Sequence, residues 1–325
     1  MPEPQKSTKS RVPQSVIDVI IAVALVASIF VAMFAYTGNW PPLVVIESRS
    51  MQHSESESFL GIMDTGDLVL VKSIDSRNDV VTYYQGLARN YKSYGDYGDV
   101  IIYLKGGSTQ YTPIIHRAVI YLSANPGDDS FRAEELRNLT EGSDYYFVDG
   151  GDSWDRITDD LVLHDYGFMS VDLVVPIGEM IIGMHMNGIA LHDGFITKGD
   201  LNQQVDQLLG ISPNRQPVDV SWIVGTAEGE IPWFGILKLW ISGDLPSYTP
   251  KNSIGALMIS IGIIFMLPIL AEAYIWWKGE KEEEKMNRAS VEMKNDALSD
   301  APLKPDQKMI DSKNEDSGKD TSKLR

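Results

Sequence analysis

Two long apolar segments decide which part of this chain can fold in water. They cover residues 15–37 and 252–277, and each is long enough to cross a bilayer as a helix, which takes about 20 apolar residues. Trp40 and two prolines follow the first segment, and this favours an uncleaved signal anchor over a signal peptide. A water-soluble core therefore has to form between the two segments, in residues 38–251.

The residues that flank the apolar segments predict the orientation of the chain. Residues 1–14 are basic and are expected to be a cytoplasmic N-terminal segment. Aromatic residues and lysines close the second apolar segment and place that end in the cytoplasm as well. Residues 278–325 carry mixed charge and few apolar side chains, so they are predicted to be a disordered cytoplasmic tail. We therefore expect a cell-membrane protein with two spans, an extracytoplasmic domain and both termini in the cytoplasm.

Composition excludes several classes of function. The net charge is -17, and the clustered Lys and Arg that nucleic acid requires are absent from the sequence, so no nucleic-acid partner is expected. The chain has no cysteine, which rules out disulfides and thiol catalysis. Asn138 begins an Asn-Leu-Thr triplet, a glycosylation sequon if the domain lies outside the cell.

Residues 38–251 are predicted to form a mainly β domain. Short runs rich in Val, Ile and Tyr are separated by Gly, Asp and Asn, as is typical of strands and turns. Residues 123–170 are acidic and rich in turn residues, with a short helical pattern near 131–139, and are interpreted as an insertion. The predicted strands cover residues 43–48, 67–72, 99–104, 112–122, 145–149, 174–184, 194–198 and 218–225.

One serine stands where nucleophilic chemistry is plausible. Ser50 follows the first β-rich run of the domain, close to the end of the first apolar segment, and its hydroxyl needs a base to become a nucleophile. His116 lies inside an otherwise apolar strand, a place that more often holds a hydrogen-bonded core histidine than a base. His53 is a rival, only three residues from Ser50. Lys72 or Lys105 would be the base in a Ser-Lys mechanism.

Two carboxylates follow a predicted strand late in the domain. Asp200 and Asp206 are six residues apart, and either could accept the proton of a histidine ring and hold its tautomer. Taken alone, the two residues more often indicate a solvated acidic loop, or a turn in which an aspartate accepts hydrogen bonds from the backbone. The residues alone leave the chemistry open.

Four short motifs follow one another along the chain: SRSM at residues 48–51, GDLVLV at 66–71, IHR at 115–117 and TKGDLNQQVD at 197–206. Taken together they resemble the type I signal peptidases, in which motifs of this kind occur in the same order. The histidine in the third motif resembles the archaeal and endoplasmic-reticulum branch, since the bacterial branch has a lysine there. A second span after the domain favours an archaeal protein.

The resemblance implies a signal-peptidase-like antiparallel β fold and a serine endopeptidase, a hydrolase that cleaves signal peptides from secreted preproteins. Ser50 matches the nucleophile and His116 the general base. Asp206 matches the acidic residue that orients the histidine, and Asp200 is the earlier acidic residue of the same motif. Ser48 matches a serine that helps to form the oxyanion hole. No metal or organic cofactor is implied.

The expected partners are preprotein signal peptides, the lipid bilayer and the protein translocation channel. Arg49 and His53 stand where the family usually has Gly and Pro. Two alternatives therefore remain open at this point. One is a Ser-Lys protease on the same scaffold, and the other is a catalytically inactive membrane-anchored β domain that acts as a scaffold.

Overall fold

The fold comes from a computed structural model, which describes residues 13–299. The helices in this range are α1 (Gln14–Thr37), α2 (Tyr83–Arg89), α3 (Ile177–Met186), α4 (Gly235–Ser242) and α5 (Ser253–Ser299). The strands are β1 (Leu43–Val45), β2 (Leu68–Lys72), β3 (Lys92–Ser93), β4 (Asp96–Tyr97), β5 (Val100–Tyr103), β6 (Ile114–Ala124), β7 (Phe131–Arg132), β8 (Tyr145–Phe147), β9 (Leu161–Tyr166), β10 (Val171–Val175), β11 (Gly194–Lys198) and β12 (Ile223–Ile231).

The domain is built on antiparallel sheets. The largest has the strand order β1-β2-β12-β5-β6-β11, and β7 adds to one end of β6. A second sheet has the order β10-β9-β8, and β3 and β4 form a separate pair. Helix accounts for 38% of the residues and strand for 22%. The helical share is high because α1 and α5 alone contribute 24 and 47 residues. The prediction of antiparallel sheets with two apolar helices is confirmed, whereas a mainly β character is confined to the region between those helices.

Two helices are long and apolar enough to cross a membrane. They cover Val16–Thr37 and Ser253–Asn295. The first ends where Gly38 adopts a left-handed conformation and donates its N–H to the carbonyl oxygen of Phe34 at 2.8 Å. These helices agree with the two predicted spans.

Two local predictions are wrong. Residues 174–184 were expected to form a strand, but β10 ends at Val175 and α3 follows. The buried side chains of α3 are Ile177, Met180 and Met184, which have the spacing of a helix face rather than of a strand. The predicted disorder of the tail is also wrong for residues 278–299, which continue α5. Their Glu, Lys, Met and Ala side chains favour helix. Residues 1–12 and 300–325, predicted as cytoplasmic segments, lie outside the described residues.

The predicted insertion packs onto the same core as the rest of the domain. Residues 123–170 contribute Phe131, Leu161 and Leu163 to the largest apolar cluster, which also holds Val119 and Leu122 of β6. The helical pattern near residues 131–139 becomes β7 followed by a 3-10 turn. One consequence is that β6 is buried along most of its length, which makes it a rigid support for His116.

A second apolar cluster supports the segment that carries Ser50. It contains Ile46 and Met51, which lie before and after the serine and are almost completely buried. Gly66 donates its N–H to the carbonyl oxygen of Ile46, and Ile46 donates its N–H to the carbonyl oxygen of Asp67, both at 2.9 Å. The chain is therefore held before Ser50 by the hydrogen bonds and burial of Ile46, and after Ser50 by the burial of Met51.

Candidate active site

Ser50 lies in a turn just beyond β1, and its side chain faces a histidine from another strand. The Ser50 Oγ is 2.9 Å from His116 Nε2. The backbone of the turn is held from the opposite side, because the N–H of Leu201 donates to the carbonyl oxygen of Ser50 at 2.8 Å. Hydroxyl and imidazole are thus within hydrogen-bond distance, as a nucleophile and its base require.

His116 is held through both ring nitrogens. It lies in β6 opposite Ile101 of β5 and is only 4% exposed. Its Nδ1 is 2.7 Å from Asp206 Oδ2. An ionised carboxylate only accepts hydrogen bonds, so the ring proton lies on Nδ1 and Nε2 is left to accept the Ser50 hydroxyl proton. This tautomer is the one that a general base needs.

Asp206 is completely buried and receives hydroxyl donors as well as the imidazole. Its Oδ2 accepts hydrogen bonds from Tyr103 at 2.7 Å and from Thr197 at 2.6 Å. The Asp206 N–H donates to the carbonyl oxygen of Thr197 at 2.9 Å, which ties the loop to β11. These hydroxyls are neutral donors, so they orient the carboxylate without bringing a positive charge to it.

Asp200 does not contact His116. It forms a paired interaction with Arg117, whose Nε donates to Oδ1 at 2.8 Å and whose Nη2 donates to Oδ2 at 2.6 Å. Burial alone would raise the pKa of Asp200, but the charge and hydrogen bonds of Arg117, with a further bond from His53, hold that pKa well below its usual range. Of the two candidate carboxylates, Asp206 contacts His116, whereas Asp200 is paired with Arg117.

His53, the rival candidate base, contacts Asp200 and Phe168. Its Nε2 lies 2.9 Å from Asp200 Oδ2. Its ring stacks on Phe168, with 4.2 Å between ring centroids and 26° between planes. Both contacts orient the imidazole toward Asp200 and Arg117 rather than toward Ser50.

The two candidate lysines have other contacts. Lys72 Nζ lies 5.4 Å from the centroid of the Tyr36 ring. Lys105 borders the cleft beside Ser50, but its Nζ donates to the carbonyl oxygen of Gly210 at 3.3 Å. Within residues 13–299, His116 is the basic side chain that bonds to Ser50.

Ser48 and Arg49 directly precede Ser50 in the same segment. The Ser48 Oγ is 3.1 Å from the Ser50 Oγ, so both hydroxyls face the same side of the turn. Arg49 points outward, and its Nη2 donates to Glu55 Oε1 at 2.8 Å. Both residues of that ion pair are exposed, so its contribution to stability is small.

A cleft of about 710 Å³ opens beside Ser50 and His116. On one side it is bordered by the end of β1, the terminal strand of the large sheet. On the other side is the start of β6, where Ile114 and Ile115 pair with β5 but lie ahead of the β11 pairing that begins at Arg117. Two strand edges that are not paired with another strand within residues 13–299 therefore border the cleft. Its apolar lining consists of Val45, Ile46, Met51, Pro113, Ile114, Ile115, Leu209 and Ile211.

Three residues of the site were not predicted from sequence. Arg117 and Thr197 lie inside the motifs that were recognised, next to residues that were chosen. Tyr103 offered no signal beyond being a tyrosine in an apolar strand. A buried tyrosine hydroxyl usually has a partner, but only the fold shows that the partner is Asp206.

Within the part of the chain that is described, no group of three or more His, Asp and Glu side chains is arranged to hold a metal ion. No known family model and no curated protein matches the sequence.

Proposed function

We propose that this protein is a membrane-tethered serine endopeptidase that removes signal peptides from preproteins. The observation that carries the proposal is the continuous contact from Ser50 Oγ to His116 Nε2 at 2.9 Å and from His116 Nδ1 to Asp206 Oδ2 at 2.7 Å. This is the arrangement of a nucleophile, a general base and an orienting carboxylate. The resemblance to type I signal peptidases supplies the substrate class.

The proposed reaction has two halves. Ser50 Oγ attacks the scissile carbonyl carbon while His116 Nε2 takes the hydroxyl proton. His116 then gives this proton to the leaving amine, the C–N bond breaks and an ester joins the substrate to Ser50. In the second half His116 takes a proton from water while the water oxygen attacks the acyl carbon. The bond from that carbon to Ser50 Oγ then breaks, and His116 returns the proton to Oγ, which releases the carboxylic acid product and restores the Ser50 hydroxyl. Asp206 remains ionised and stabilises the imidazolium in both halves.

The developing oxyanion needs donors close to Ser50. The Ser48 hydroxyl, whose oxygen is 3.1 Å from the Ser50 Oγ, and the Ser50 backbone N–H are the groups we assign to this task. Loss of one such donor commonly lowers kcat by about 10²- to 10³-fold.

The cleft suits an extended peptide. A substrate strand between β1 and residues 114–115 would pair with both free edges, which is β-augmentation. The apolar lining, which includes Ile46 and Ile114, would accept small apolar side chains. This fits the family expectation of small residues just before the cut.

The surroundings of the cleft fit a position at the membrane surface. Helix α4 exposes Trp240 by 65% and Ile241 by 89%, and such residues favour the interfacial region of a bilayer. The same helix is tied to the cleft, because Lys238 Nζ is 2.7 Å from Glu47 Oε1 and Glu47 borders the cleft. The proposed orientation has both termini in the cytoplasm and the domain outside, where substrates emerge from the translocation channel.

The experiment uses purified full-length protein in detergent with a preprotein substrate. Cleavage should fall at least about 10⁴-fold in Ser50→Ala and in His116→Ala. The matched controls Ser56→Ala, at an exposed serine, and His164→Ala, at a partly exposed histidine bonded to Asp172, should retain activity. Activity retained in His116→Ala would favour the Ser-Lys alternative. No cleavage by the unmodified protein at any salt concentration or pH would favour the inactive scaffold.

A further inference from the structure

Lys198 places a buried ammonium group directly behind the active-site turn. It is the last residue of β11 and is 1% exposed. Its Nζ donates to the backbone carbonyl oxygens of Gly199 and Asp200, both at 3.1 Å, and lies 5.3 Å from the centroid of the Tyr166 ring. Burial of a cation against carbonyl groups is unfavourable compared with hydration in water. The arrangement needs an explanation that stability alone does not provide.

The turn that Lys198 holds is the one that supports the nucleophile. The Leu201 N–H donates to the Ser50 carbonyl oxygen at 2.8 Å, and the Asn202 N–H closes the turn on the Gly199 carbonyl oxygen at 2.8 Å. The Gly199 carbonyl oxygen therefore accepts from both Asn202 and Lys198. The direction of the Leu201 N–H depends on these carbonyl orientations.

The turn also packs tightly against the base. A Cβ added at Gly199 would lie 2.8 Å from both His116 Nε2 and the Ser50 carbonyl oxygen. A small rotation of the Gly199 peptide would therefore move the groups that set the distance between Ser50 and His116. Displacements of about 1 Å can lower a catalytic rate about 100-fold.

We propose that Lys198 is a positioning residue whose ammonium group, by binding the carbonyl oxygens of Gly199 and Asp200, fixes the turn that aligns Ser50 with His116. Its expected effect on cleavage rests on the proposed function, whereas its effect on the geometry of the site does not.

The charges around Lys198 make this role sensitive to pH. Asp200, Asp206 and Asp96 face it with negative charge, Arg117 faces it with positive charge, and the Tyr166 ring covers it. Burial is the main cause that lowers the pKa of Lys198 to about 8, against the opposing effect of Asp200. The ammonium is therefore present at neutral pH and is lost as the pH rises past that value. The remaining amine makes weaker hydrogen bonds to carbonyl oxygens.

Loss of this charge can be distinguished from unfolding. In the unfolded chain a lysine titrates near pH 10.4, so between about pH 8 and 10 the unfolded state binds more protons than the folded state. The contribution of Lys198 to the free energy of unfolding therefore rises with pH in this range. A local rearrangement of the site near pH 8 should accordingly appear without loss of folding stability from this residue.

The first test is NMR of the full-length protein in detergent micelles between pH 6.5 and 9.5, observing the His116 ring nitrogens and the Leu201 amide. In the unmodified protein both signals should show an inflection near pH 8. In Lys198→Met, both should start near their high-pH positions and lack the inflection. The proposal is overturned if the unmodified protein lacks the inflection, a result that needs no variant to fold, or if Lys198→Met retains it.

Cleavage of a preprotein gives the second readout. At pH 7 Lys198→Met should lower kcat about tenfold with little change in KM, since the loss concerns alignment rather than binding. In the unmodified protein kcat should fall as the pH rises through about 8, and this fall should be absent in Lys198→Met. Lys92→Met removes an exposed lysine and should keep the rate and pH profile of the unmodified protein. If the unmodified protein cleaves nothing at any pH, the proposed function fails, and the NMR result still decides the role of Lys198.

Discussion

Two of the histidine–aspartate pairs in the domain have similar contact distances but different surroundings. In one, His116 Nδ1 lies 2.7 Å from Asp206 Oδ2, and in the other, His53 Nε2 lies 2.9 Å from Asp200 Oδ2. Both carboxylates are buried, and both follow β11 in the same loop. The distance between histidine and aspartate alone would therefore not identify the pair that contacts Ser50.

The partners of each carboxylate separate the pairs. Asp206 receives neutral hydroxyls from Tyr103 and Thr197, so its charge remains available to a protonated imidazole. Asp200 receives two hydrogen bonds from Arg117, whose charge compensates it. A carboxylate already paired with a guanidinium has less to offer a transient imidazolium. Electrostatics thus favour Asp206 as the orienting residue and Asp200 as a structural one.

The largest difference between the pairs should appear in kcat. Asp206→Asn should lower kcat about 10⁴-fold, because an amide nitrogen can donate to Nδ1 and leave the ring proton on Nε2. The Ser50 hydroxyl would then lose its acceptor. Circular dichroism should show that the fold is retained, and Asp172→Asn, at an exposed carboxylate bonded to His164, serves as the control. A loss smaller than tenfold would mean that Asp206 does not orient the base.

Disruption of the second pair should lower the stability of the fold rather than kcat. Asp200→Asn removes the charge that compensates the buried Arg117, and breaking such a pair costs about 3–5 kcal/mol. Denaturant unfolding at pH 7 measures this effect. Unchanged stability would contradict the structural role of Asp200.

The acid dependence of stability also tests the structural role of Asp200. The pKa of Asp200 is held below the ordinary value of about 3.9, so its contribution to stability is complete above that pH and is lost as the pH falls toward the lowered value. Asp200→Asn should remove this part of the acid-induced loss. An identical acid dependence in both proteins would show that Arg117 does not lower the pKa of Asp200.

A smaller effect is expected from the neutral donors to Asp206. Tyr103→Phe removes one hydroxyl that helps to orient the Asp206 carboxylate, and a hydrogen bond to a charged group contributes about 1.5–3 kcal/mol. We expect kcat to fall about tenfold, with KM nearly unchanged. Tyr111→Phe alters an exposed tyrosine and is the control. A larger loss than in Asp206→Asn would reverse the proposed order of importance.

The sequence was informative where the physical signal is local. The two apolar helices could be predicted because about 20 consecutive apolar residues have few other stable environments. Ser50, His116 and the two aspartates stood out through short motifs. The choice between Asp200 and Asp206 could not be made, because it depends on the path of a loop that is fixed by contacts with Ser50, Thr197 and Arg117.

Other failures have equally specific causes. Residues 174–184 combine apolar residues that suit a strand or a buried helix, and composition alone cannot separate the two. The tail was judged by its charge, although its Glu and Lys side chains also favour helix, and α5 continues to Ser299. Tyr103 was missed because its partner is 103 residues away in sequence.

The smallest expected effect concerns His53. His53→Phe keeps a planar ring that can stack on Phe168, and it leaves Asp200 paired with Arg117. Loss of one hydrogen bond to a charged group should lower stability by about 1.5 kcal/mol and change kcat less than about threefold, since this ring does not face Ser50. Unfolding and preprotein cleavage should be measured beside His116→Ala. A rate as low as in that variant would make His53 the base and would reverse the assignment of the two pairs.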